Sequence, residues 1–331
     1  MTLKNFVGID VSKLTLDVFI HEKQVHKQFR NEENGFVLLI QWLEKQTGQS
    51  HDSMLICFEH TGLYSLLLAN FLEEKQISFS MVPALEIKRS LGVARGKNDI
   101  VDSKRIAEYA NRFRDKISLT KLPAKDIGKI HSLLTLRDRL SRHLGMYKLT
   151  KDETIRVINK NDLPELFSSY ENIIPFIKLE ISRIEVAIRN IINSNEELRT
   201  SFKLITTIKG IGLIVAAYLI VYTHNFTRFD NWRKFACYSG IAPFDFQSGT
   251  SVRGRTRVSS IANKQVKKML HLAAICAMHT DTELREYYHR RQVEGKTKMS
   301  TINIIRNKLI ARAFAVVRRG TPYVDIKRYV A

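Results

Sequence analysis

The chain has 331 residues, 44% of them hydrophobic, which is enough for two domains that each have a core. No apolar run reaches membrane-spanning length, the longest lying around Leu213 to Tyr222, and Cys57, Cys237 and Cys276 are too scattered to make a disulfide framework or a zinc site by spacing. Fifty-three Lys and Arg against 33 Asp and Glu leave a net charge of +20, which points to a polyanionic partner.

The opening MTLKNFVGIDVS goes straight into a strand pattern, without a signal-peptide core, so the expectation is a cytoplasmic protein. The basic residues are spread along the chain without an amphipathic aromatic anchor, and no membrane partner is expected.

Residues 1–120 read as α/β. Phe6 to Val11 is strand-like, Leu14 to Ile20 alternates as a half-buried strand does, and Gln24 to Phe29 is a third strand. Gly35 to Glu44 puts Phe36, Leu39, Ile40 and Leu43 on one helical face. Met54 to Phe58 is a continuous apolar run, as in a buried central strand. A helix from Tyr64 to Glu74, a strand from Ser78 to Val82 and a last helix complete the order. Three strands able to pair as a meander, then alternating units, fit a ribonuclease-H-like sheet better than a doubly wound nucleotide fold.

Residues 121–200 read as long helices. Ile173, Ile177, Ile181, Ile184, Ile188 and Ile191 recur at spacings of four and three, a heptad-like seam, and Asp162-Leu163-Pro164 marks a break before it. The seam suits a coiled-coil association element or ordinary helix packing. Residues 201–331 read as mainly α-helical with Gly-rich turns.

Four carboxylates stand out. Asp10 lies inside the first strand among apolar residues, where a charge is costly unless paired or bound to metal. Glu59 directly follows the apolar strand. Asp99 and Asp102, three apart, share one face if they open a helix. In a ribonuclease-H-like sheet the first and fourth strands are neighbours, with the last helix over their ends, and the four would converge. Oxygen ligands of this kind suit Mg²⁺ or Mn²⁺, and two such ions can clamp the attacking and leaving oxygens of a phosphodiester. Taken singly, Asp99 also suits an N-cap, and Asp102 and Glu59 suit solvent-facing charges.

In the last third, Ser239-Gly240-Ile241-Ala242-Pro243 and Gln247-Ser248-Gly249 lead into a basic stretch with Arg253, Arg255, Arg257, Lys264, Lys267 and Lys268. A serine there needs activation to act as a nucleophile, and flanking arginines would hold a phosphate. Taken alone, Gln-Ser-Gly is a turn. Lys209-Gly210-Ile211-Gly212 is similar to the glycine turn of helix-hairpin-helix modules, whose backbone amides contact phosphate; a helix-packing turn is the alternative.

Together these segments, with Gly8-Ile9-Asp10-Val11-Ser12-Lys13, Phe58-Glu59-His60-Thr61-Gly62 and Lys97-Asn98-Asp99-Ile100-Val101-Asp102-Ser103-Lys104, resemble the insertion-sequence-110 (IS110) family of transposases nearly end to end. The resemblance implies a RuvC-like domain with a D-E-D-D metal site at Asp10, Glu59, Asp99 and Asp102. It implies a transposase domain whose serine, here Ser248, links covalently to DNA, with Ser239 a weaker match. It further implies excision and insertion of an element guided by a bridge RNA, and work as homodimers and homotetramers. A Holliday-junction-type endonuclease using only the carboxylates is the alternative. A sugar-kinase-like phosphotransferase would need Gly-rich phosphate loops that the first domain lacks. A non-catalytic nucleic-acid-binding protein leaves the placed carboxylates without a role.

Overall fold

The computed structural model describes residues 4–60, 62–90, 92, 98–248 and 252–324. The side chains of Phe246, Ser248, Val252, Arg253 and Arg255 also fall outside the described set. The chain divides into two units, Met1–Leu122 and Pro123–Ala331.

The first unit is built on a five-stranded sheet. Strands β1 (Asn5–Val11), β2 (Thr15–Ile20) and β3 (Val25–Arg30) form an antiparallel meander, while β4 (Met54–Glu59) and β5 (Phe79–Val82) run parallel to β1. The order across the sheet is β3-β2-β1-β4-β5. β1 and β4 are central and covered on both faces, which is why their sequences are nearly continuous apolar runs. β3, at the edge, carries His26, Lys27, Gln28 and Arg30.

The two faces have separate cores. On one, Val7, Ile9, Val11, Ile56 and Phe58 pack with residues of α1 (Glu33–Thr47) and α2 (Leu63–Glu74). On the other, Phe6, Leu55 and Cys57 pack with Ile87 of α3 (Ala84–Ser90) and with Ile106, Tyr109 and Ala110 of α4 (Asp99–Arg112). The meander followed by alternating strands and helices is as the sequence predicts, except that α3 is an additional helix. It is seven residues long and starts directly after Pro83, too short for a periodic pattern to reveal.

The second unit is mainly helical. α5 (Lys125–Thr154) and α6 (Pro164–Ser194) form a hairpin, with Pro164 opening α6 at the expected break. The isoleucine seam packs inside the chain: Ile184, Ile188 and Ile192 share a core with Ile127, Ile130 and Leu134 of α5. Ile174 and Ile192 are buried while Ile173, Ile181 and Ile191 of the expected seam are half-buried, because at about 100° per residue Ile173 and Ile191 fall together at the edge of the buried arc and Ile174 and Ile192 fall together on its other side. The seam is therefore an intrachain contact.

The same core takes in α7 (Glu196–Ile205), α8 (Leu213–Tyr222), α9 (Trp232–Tyr238), α10 (Lys264–Thr280), α11 (Thr282–Val293) and α12 (Lys298–Arg319). Between α9 and α10 a two-stranded antiparallel ribbon, β6 (Pro243–Ser248) and β7 (Val252–Val258), replaces the turns expected there. Its described side chains are largely exposed, so no apolar face marks the strands in the sequence. Among the described residues no helix is long and apolar enough to cross a membrane.

Candidate carboxylate centre and basic ribbon

β1 and β4 bring two of the four acids side by side. Ile9 and Phe58 are register partners in the parallel pair, so Asp10 and Glu59 follow each other at the same level, at the strands' C-terminal ends. Alternation along the strands puts both on the face covered by α4, with Phe6, Leu55 and Cys57. The other two acids arrive on the first turn of α4, where Asn98 caps the helix by accepting from the Val101 amide at 2.7 Å. Negative charge in a first turn also complements the helix dipole. Asp99 is exposed, and Asp102, Asp10 and Glu59 are half-buried.

These charges act on one another. The Asp10 carboxyl is pushed up from 3.8 to about 6, first by burial and then by Asp102, Asp99, Glu59 and Asp17. Beneath the centre, burial with Glu86 and Glu59 nearby raises the Cys57 thiol to about 12, so it stays protonated and inert. A divalent cation would relieve both the burial of Asp10 and the repulsion around it, and the donors are the oxygen ligands Mg²⁺ and Mn²⁺ prefer. Among the described residues no three His, Cys, Asp or Glu side chains converge on a single ion position. An ion held here would therefore rest on one or two carboxylates and complete its shell with water and substrate phosphate, as Mg²⁺ does at phosphoryl-transfer sites.

Asp17 did not stand out in the sequence. It is 3% exposed, lies opposite Asp10 in the β1–β2 register, and accepts from His26 Nε2 at 2.9 Å and Gln28 Nε2 at 3.1 Å. The available signal is an acid between Leu16 and Val18, but the alternation of this strand equally suits an outward polar residue there.

In the second unit, Ser248 ends β6 opposite Val252, and Gln247 pairs with Arg253. The Ser248 hydroxyl, Gly249 and the Arg253 and Arg255 side chains lie outside the described residues, while Arg257 is exposed. The base of the ribbon is clamped: Asn263, the N-cap of α10, donates from its backbone to Tyr238 O and from Nδ2 to Tyr238 Oη, both at 2.9 Å. Asn303 and Asn307 donate to Ile241 O at 2.8 and 3.1 Å. Ser239 is fully buried and donates to Phe235 O at 2.7 Å, closing the end of α9.

Lys264 and Lys268 are exposed and Lys267 half-exposed on the opening turns of α10, which carry no acid. Cations at a helix N-terminus oppose its dipole, an arrangement that favours an anionic ligand. Lys209, Gly210 and Gly212 form the turn between α7 and α8, and Gly210 packs against Ala273 and Ala277 of α10. Gly212 is exposed at the N-cap of α8.

Two family models match the chain. Residues 7–150 match the DEDD-type transposase model of IS110, and residues 202–289 match the model described as Transposase IS116/IS110/IS902 family. The pilin gene-inverting proteins of Moraxella lacunata and Moraxella bovis are each 27% identical to it over 97% of this chain and 98% of theirs. An uncharacterized 43.6 kDa protein of insertion element IS110 from Streptomyces coelicolor is 33% identical over 40% of this chain and 32% of its own length. With both models in chain order and relatives aligned end to end, the chain belongs to the IS110 family of transposases, enzymes that recombine DNA.

Proposed function

We propose that this transposase cuts and rejoins DNA with two chemistries, a metal-dependent carboxylate centre and a serine nucleophile. In this reading residues 1–120 are a RuvC-like, ribonuclease-H-like domain, 121–200 an association region and 201–331 a serine transposase domain. The observation that carries it is the placement of Asp10 and Glu59 side by side at the ends of β1 and β4, on the face covered by α4, whose first turn bears Asp99 and Asp102. Asp10, Glu59, Asp99 and Asp102, one or two of them to an ion, would hold Mg²⁺ or Mn²⁺, which supplies Lewis-acid stabilisation of charge on phosphate oxygens.

Ser248 attacks the scissile phosphorus through its Oγ, forming a phosphoserine bond as the sugar hydroxyl leaves. A strand hydroxyl then attacks the same phosphorus and frees the serine. The covalent link conserves the energy of the broken phosphodiester, so every cut end can be rejoined. A relative whose name is pilin gene-inverting spans the whole chain, and inversion likewise demands that every end be rejoined. Arg253, Arg255, Arg257, Lys264, Lys267 and Lys268 hold donor and target DNA by its backbone, and Lys209, Gly210 and Gly212 add a further phosphate contact. In this reading these residues act on the phosphate backbone, and sequence choice is delegated to an element-encoded bridge RNA. Homodimers and homotetramers would use the solvent face of the α5–α6 hairpin, where Leu136, Met146, Leu149, Phe176, Leu179 and Val186 are exposed.

The test is recombination of a circularised element with its flanking RNA and Mg²⁺, comparing wild type, Asp10→Ala and Ser248→Ala, with denaturing gels to trap protein-bound DNA. Both variants are expected to be inactive, and the adduct to vanish with Ser248→Ala. Cutting by Ser248→Ala at the wild-type rate would leave the carboxylates alone as a junction-type endonuclease. Full activity without RNA would remove the guide.

A further inference from the structure

Asp17 stands directly across the sheet from Asp10. They are register partners in the antiparallel pair of β1 and β2, so their side chains leave the same face, with Cβ atoms about 4.5–5.5 Å apart. Two like charges so placed destabilise a sheet, and burying one of them costs more. Asp17 is nonetheless 3% exposed, and its oxygens are bracketed by β3: His26 Nε2 meets Oδ1 at 2.9 Å, and Gln28 Nε2 meets Oδ1 at 3.3 Å and Oδ2 at 3.1 Å. Gln28 is itself the register partner of Asp17, so the bracket is part of the sheet.

Donors on both oxygens fix the orientation of the carboxylate. Three contacts occupy most of the carboxylate's lone-pair sites, which makes Asp17 chiefly a source of negative field beside the centre. We propose that Asp17 is a positioning residue: held in place by His26 and Gln28 across from Asp10, it orients Asp10 and raises the affinity of the centre for its divalent cation. The idea rests on the reading of Asp10 as a metal ligand. It explains why the fold keeps an opposed pair of acids that would otherwise weaken it.

The experiment is Mn²⁺ titration of the full chain without DNA, read by the electron paramagnetic resonance of free Mn²⁺, with melting curves in EDTA. Asp17→Asn keeps the shape and a hydrogen bond to Gln28 but removes the charge. Its Mn²⁺ dissociation constant is expected to rise about tenfold, less at high salt, as for a through-space field over several ångströms. In EDTA it should melt at or above the wild-type temperature, because the repulsion with Asp10 is gone; a purely structural Asp17 would melt lower. His26→Ala leaves the charge but loosens the bracket, and about a two- to threefold weaker affinity is expected by the same field argument. This second variant carries the test if Asp17→Asn does not fold. Wild-type Mn²⁺ affinity in both variants overturns the proposal. Asp10→Ala is the separate control: if it too binds Mn²⁺ as wild type does, the carboxylate centre itself is misread.

Discussion

Gly8 of β1 and Ala107 of α4 meet backbone to backbone. A Cβ on Gly8 would come within 2.8 Å of the Ala107 Cα and closer still to the Ala107 nitrogen and the Ser103 oxygen. This contact seats α4 on the sheet, and α4 carries Asp99 and Asp102 on its first turn. Gly8→Ala must lift the helix, since the atoms it meets are main chain and cannot rotate away. The expected cost is about 2–3 kcal/mol in urea unfolding, accompanied by weaker Mn²⁺ binding. Gly128→Ala, in α5 with nothing within 4 Å of its Cβ, is the control and should stabilise by about 0.5–1 kcal/mol. Equal stability of the two variants would mean that α4 is not seated through Gly8.

The pH dependence of the metal-free protein follows from Asp10. Its carboxyl is raised from 3.8 to about 6, so between those values the folded chain holds a proton that the unfolded chain has released. The stabilisation from that proton is complete below 3.8 and is lost as pH rises through about 6. In EDTA, wild type should therefore lose melting temperature relative to Asp10→Asn across this window. Saturating Mg²⁺ should abolish the difference by binding the ionised form. Parallel curves for the two proteins in EDTA would show that Asp10 is not under the pressure of its neighbours.

How much of this was legible differs by element. Asp10 and Glu59 were readable because each follows or interrupts a strand so apolar that a charge needs a reason. The seating of Gly8 was not, because its partners, Ser103 and Ala107, are brought to it only by the fold. Asp17 was hidden differently: alternation in β2 allows an outward polar residue, and only the covering of that face by α4 turns it into a buried charge. The ribbon of β6 and β7 left no trace because its exposed strands have no apolar face to alternate with. For the isoleucines of α6, the period was visible but the partner was not, and the partner is α5 of the same chain.

His224 gives a second titration of opposite sign. Burial and then Arg228 lower it from 6.5 to about 4, so the folded chain resists a proton the unfolded chain accepts. The associated stability is present above 6.5 and lost as pH falls towards 4. His224 also opens a run of three non-glycine residues with positive φ: 47°, 53° for Asn225 and 66° for Phe226. Asparagine tolerates that region better than histidine. His224→Asn should match or exceed wild type in thermal stability at neutral pH and show a flatter loss on acidification. A steeper loss would mean that another buried group titrates there.

The turn between α7 and α8 separates packing from recognition within a single motif. Gly210 has φ +93°, and a Cβ there would lie 2.6 Å from Ala273 O and 2.7 Å from Ala277 Cβ. Gly210→Ala combines left-handed strain with overlap against α10, and a loss of about 3 kcal/mol is expected. Gly212 has nothing within 4 Å of its Cβ position, so Gly212→Ala should cost at most about 1 kcal/mol, the difference between glycine and alanine at an N-cap. If the amides at the start of α8 approach a DNA phosphate, the added methyl stands in the way. Duplex affinity measured by fluorescence anisotropy should then fall several-fold in Gly212→Ala with the fold intact. Lys209→Ala should reduce the slope of log affinity against log salt by about 1, the signature of one lost phosphate contact. Unchanged affinity in both variants would assign the whole turn to helix packing, with Gly210 its reason for being glycine.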